Sequence, residues 1–138
     1  MKENIIVCFI VIVAATLFVS CSPKESNYSL HLVVDSWSDQ DIDYPEDEFL
    51  FENIILNETY VIALDGDSDY LLRKFKVIKI DESSITISTP IPLSDKEEGI
   101  NLGSKEKKFT IEYGKATSLD TLIMDGGEWY VFSLIEKE

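Results

Sequence analysis

Cysteine and histidine are nearly missing from this chain, glycine is sparse, and positive charge is in short supply. Its 138 residues hold two cysteines, Cys8 and Cys21, one histidine, His31, and 6 glycines, with 26 acidic residues against 12 basic ones. No cysteine follows Cys21, so the chain beyond it has no disulfide framework and must be held by packing and sheet hydrogen bonds. A lone histidine without a cysteine near it does not make up the ligand set of a zinc or copper site. The glycines form no phosphate-cradling loop, and no Gly-x-Ser-x-Gly elbow prepares a serine nucleophile for His31. A net charge of −14 repels nucleic acid and anionic headgroups, so no nucleic-acid role is expected. Internal repeats, heptads and amphipathic helical patterns are absent as well.

Only one long apolar run is present, and it lies at the start. Lys2 supplies a positive end, Ile5 to Val19 carry no charge, and Leu17-Phe18-Val19-Ser20-Cys21 closes the run with a small residue before a cysteine. A spanning helix wants about 20 apolar residues, and this run is shorter. The pattern is that of an export signal, in which a positive end stays in the cytoplasm while an apolar core enters the bilayer. The closing residues resemble the lipobox of bacterial lipoproteins, with Phe18 where leucine is usual. The resemblance implies a signal peptide over 1–20, a diacylglycerol on the thiol of Cys21, and a protein tethered to the cell envelope without spanning the membrane. Ser22 stands where an aspartate would, by the same resemblance, hold the protein in the inner membrane. The outer membrane is therefore implied for a cell that has two.

Removing 1–20 takes one basic and one acidic residue, leaving 11 against 25 and the balance still at −14. The rest divides into a lipidated cysteine and polar tether over 21–27 and one domain over 28–138. Alternating apolar residues separated by turn signals predict an antiparallel β-sandwich or small barrel of about seven or eight strands, behind a hydrophobic signal helix. Strands are expected at Tyr28 to Val34, Phe49 to Leu56, Thr59 to Leu64, Tyr70 to Ile80, Ser84 to Thr89, Lys107 to Tyr113, Thr117 to Met124 and Glu128 to Ile135. The pair flanking Asp81-Glu82-Ser83 is the clearest hairpin. Its basic strand, with Arg73, Lys74, Lys76 and Lys79, is expected to neutralise acids across the sheet. Pro90 and Pro92 stop the sheet. The final strand, apolar on both sides, is expected to be central and buried on both faces.

Asp35 to Glu48 predicts an acidic loop, with Asp35, Asp39, Asp41, Asp43, Glu46, Asp47 and Glu48 and no basic residue. It can face a partner or solvent. Asp39, Asp41 and Asp43 have the alternate spacing that begins a calcium loop, but Tyr44 and Leu50 stand where an EF-hand needs glycine and glutamate. Asp120-Thr121-Leu122 matches a short bacterial O-glycosylation signal. Carboxylate chemistry on a glycan needs only two acids across a cleft, with Trp37 and Trp129 available to stack on a sugar. The expected role is nevertheless a non-catalytic binding module with an acidic surface and no cofactor, such as a toxin-neutralising or envelope-assembly partner. A basic protein or a glycan is its expected ligand. A small glycan-active enzyme and a weak calcium-binding envelope domain are the alternatives.

Overall fold

The structure, a computed structural model, describes residues 22–38, 46–64, 73–93, 106–123 and 126–138. The expected signal helix, Cys21, the Asp39, Asp41 and Asp43 spacing, and the Asp65-Gly66 turn lie outside these residues. Eight strands follow in chain order: β1 Tyr28–Ser38, β2 Asp47–Phe51, β3 Thr59–Val61, β4 Lys74–Ile80, β5 Ser84–Thr89, β6 Lys107–Glu112, β7 Thr117–Ile123 and β8 Gly126–Glu136. They make two antiparallel four-stranded sheets, ordered β2-β1-β8-β7 and β3-β4-β5-β6.

Alternation decides which side of each strand is buried. Leu30, Leu32 and Val34 of β1 share a core with Tyr130, Phe132 and Leu134 of β8, and across from them lie Phe75 and Val77 of β4, Ile85 and Ile87 of β5 and Ile111 of β6. Aromatic rings tie the two layers together. Phe75 meets Phe51 edge-on at 5.2 Å, stacks on Tyr60 at 5.2 Å and meets Phe132 edge-on at 6.4 Å. Phe109 of the second sheet leans on Phe132 at 5.1 Å. Such offset and edge contacts add to the area that the rings remove from water.

Turn chemistry places the ends as expected. Asn57 adopts φ 69° and Gly114 φ 79°, left-handed conformations that asparagine and glycine tolerate. β5 ends at Thr89, one residue before Pro90, and Ile91 and Leu93 fold back into the core. A register shift between Val77 and Lys79 bulges β4, so that Phe75, Val77 and Ile80 all point inward.

Three expectations are corrected. The acidic segment is less of a loop than its composition predicts, because Asp35 extends β1 opposite Trp129 while Asp47 and Glu48 open β2. β8 is central, between β1 and β7, but its outer side is not buried, since Trp129 is 42% and Ile135 39% exposed. The residues after Cys21 are not all tether. Glu25 bridges to Ile55, Ser26 N–H donates to Ile54 O at 2.8 Å, and Leu56 N–H donates to Lys24 O at 2.8 Å. Lys24 Nζ donates to Ile80 O, and Glu25 pairs with Lys137.

Candidate interaction faces

Each sheet turns one side to the core and the other outward, and the two outward sides differ in chemistry. On β2-β1-β8-β7 the pairing register aligns Leu50, His31 and Ser133 in one row, Glu48, Val33, Val131 and Ser118 in the next, and Asp35, Trp129 and Asp120 in a third. Leu50 is 53% exposed, while Val33 and Val131 are half-buried between Trp129 and Ile135. Apolar side chains thus run across the face, with Glu48, Asp35 and Asp120 among them. No lysine or arginine occupies an outward position on the described strands of this sheet.

His31 sits within this face and not at a sheet edge, with a strand on either side. Its Nε2 lies 2.5 Å from Glu48 Oε1, and its Nδ1 lies 3.5 Å from Ser133 Oγ. A carboxylate accepts and does not donate, so Nε2 carries the proton in this contact. In the neutral ring Nδ1 is then left to accept from the Ser133 hydroxyl. Serine, imidazole and carboxylate are the components of nucleophilic activation. Here they join three neighbouring strands, and the N–H groups of β1 along this stretch are committed to two ladders, so they are not turned toward a developing oxyanion. Composition could not reveal this line of contacts. It depends on the register that brings residues 31, 48 and 133 together.

Trp37 lies over Gly127. Its indole Nε1 is buried with no hydrogen-bond partner among the described residues, and a Cβ on Gly127 would meet it at 2.9 Å. Asp120 is only 5% exposed beside Trp129. Thr121 faces the other way, where Glu128 N–H donates to its Oγ1 at 2.9 Å. A hydroxyl so enclosed, in a residue 6% exposed, is not available for O-glycosylation in the folded domain.

Between the sheets, Arg73 Nη1 pairs with Glu128 Oε1 at 2.6 Å, and Tyr130 O–H donates to Glu128 Oε2 at 2.7 Å. Burial and the neighbouring Glu128 carboxylate push the Tyr130 phenol well above its ordinary range.

The outward side of β3-β4-β5-β6 is hydroxylic and basic. Thr59, Lys76, Ser88 and Lys108 form one row across all four strands, and Lys79, Thr86 and Thr110 form part of another. The expected neutralisation across the sheet is not what the register provides. Lys76 stands between Thr59 and Ser88, and Lys74 is opposite Val61. Arg73 and Lys79 find acids, but in Glu128 and in the turn residue Asp81 at 2.7 Å. Among the described residues, no three His, Cys, Asp or Glu side chains gather as a metal site would require.

No family profile, curated protein or solved structure matches the chain.

Proposed function

We propose that the protein is a lipid-anchored lipoprotein of the bacterial envelope whose β domain works by contact, docking a basic protein partner on the outward side of β2-β1-β8-β7. One observation carries the docking reading: exposed Leu50, Trp129 and Ile135 lie on a face bearing Glu48 and Asp35 and no described lysine or arginine. Protein interfaces draw most of their affinity from desolvated aromatic and aliphatic anchors, and charge fixes the partner and the encounter rate. An apolar centre with a basic rim is the complementary surface. Neutralisation of a basic toxin and assembly of an envelope complex both fit that description. The anchor reading rests on the residues before Cys21, as described above.

Two measurements test the proposal. The intact mass of the membrane-extracted protein is expected to show loss of 1–20 and a diacylglycerol on Cys21, and a full-length unacylated chain would overturn the anchor. A photo-reactive residue placed at Trp129 in living cells is expected to capture a protein with a basic surface, with the adduct weakened by added salt and by Glu48→Gln with Asp35→Asn. An adduct indifferent to both, or none, would overturn the docking reading.

A further inference from the structure

We infer that the opposite face, the outward side of β3-β4-β5-β6, binds an acidic polysaccharide. Lys74, Lys76 and Lys108 project from it, and none has an acid partner among the described residues. This is a local concentration of cations in a chain of net charge −14, where acids outnumber bases and stray pairing would be easy. The rest of the face is largely hydroxylic, with one strand acid, Glu112 opposite Ser84, that is paired with Lys115. Thr59, Thr86 and Thr110 lie among the lysines, with Thr86 and Thr110 joined at 2.9 Å, while Ser88 in the same row is buried.

Among the described residues, the same face lacks what a protein partner or a bilayer would exploit. Its exposed large apolar residue is Val61, 52% exposed, and no aromatic side chain points outward on its strands. Without a desolvated anchor a protein contact is weak, and without an apolar wedge a lipid surface is held by charge alone. An anionic sugar polymer needs neither. Its carboxylates meet ammonium groups, and its hydroxyls exchange hydrogen bonds with the threonines. Lys76 and Lys108 stand two strands apart, about 10 Å, and Lys74 is about 7 Å along β4 from Lys76. Successive charges on an extended chain reach across such intervals. Glu106, which accepts from Ser88 Oγ at 3.0 Å, brings an acid to the platform and sets a limit on affinity.

The experiment measures binding of polygalacturonate to the full chain in a non-ionic detergent, at low and at physiological salt. Vesicles of phosphatidylglycerol mixed with phosphatidylcholine, and the protein alone over a concentration series, are run beside it. Polygalacturonate is expected to bind at low salt and to weaken roughly tenfold at physiological salt. Replacing Lys74, Lys76 and Lys108 by Gln together is expected to lower affinity about a hundredfold, and each single Lys→Gln change about fivefold. Glu48→Gln on the other face is expected to leave binding unchanged, which separates this site from the protein-docking face. Four results would overturn the inference: no binding at low salt, equal binding by the triple and single variants, binding to the vesicles only, or lysine-dependent self-association without polymer binding.

Discussion

Phe75 shows how much one side chain can hold when it stands where two sheets meet. Its ring touches Phe51, Tyr60 and Phe132 and is 1% exposed, so Phe75→Ala leaves a cavity that neighbours from two layers cannot both fill. The expected cost is about 3–5 kcal/mol of unfolding free energy, read as a lower midpoint in urea with an unchanged slope. Gly127 is constrained in the opposite sense. A Cβ there would run into the Thr121 carbonyl and the Trp37 indole, and because one obstacle is backbone the strain cannot be relieved by a rotamer. Gly127→Ala is expected to destabilise by about 1–3 kcal/mol, with a change in Trp37 fluorescence that Phe75→Ala does not share. Tyr130 gives a pH signature. Its folded pKa lies above the unfolded value of 10.0 because it is buried and hydrogen-bonded to Glu128. Tyr60, also held up chiefly by burial, behaves the same way. Stability from these phenols is complete below pH 10 and is lost as pH rises toward their folded pKa values. Denaturation at increasing alkalinity is expected to show that decline, and Tyr130→Phe to flatten it.

β8 is the element on which the first sheet depends, since it pairs with β1 from Tyr28 to Ser38 and with β7 from Thr117 to Ile123. Ending the chain at Trp129 would remove Tyr130, Phe132 and Leu134 from the core and leave β1 and β7 without their shared neighbour. Such a truncation is expected to abolish cooperative unfolding by circular dichroism. The centrality of β8 was legible in the sequence, because a run from Trp129 to Ile135 with apolar residues at both parities suits an inner strand. Its exposed outer side was not legible, because the same pattern fits a strand covered on both faces, and only the assembled molecule shows that no further layer of described residues covers Trp129 and Ile135. The β4 and β5 hairpin was plain from Ile85 and Ile87 alternating with Thr86 and Ser88 beyond a short polar turn. What β4 lysines face was not plain, since that depends on register, which a bulge at Val77 and Lys79 shifts. Asp35 looked like loop because aspartate disfavours strands. Pairing with Trp129 and Glu128 on the neighbouring strand carried β1 past it. The line from Ser133 through His31 to Glu48 joins three strands and had no local signal at all.

At the scale of the whole molecule, charge is sorted. A surplus of acid makes the folded chain repel itself, and moderate salt is expected to raise the melting temperature until screening is complete. Opposite faces carry opposite chemistry, so one domain could hold a protein on one side and a polyanion on the other without competition. If the chain is anchored at Cys21, the segment after it decides where those sides point. On the lipoprotein reading, only Ser22 and Pro23 separate the acylated residue from Lys24, whose carbonyl is already bonded to Leu56, a reach of at most about 11 Å. The docked residues, the Ile80 carbonyl and Lys137 gather at the end where β1 begins and β8 finishes. A domain so moored would keep that end toward the bilayer. Its strands would stand upright on the bilayer like a book on its lower edge, with both covers open sideways to whatever diffuses along the membrane plane.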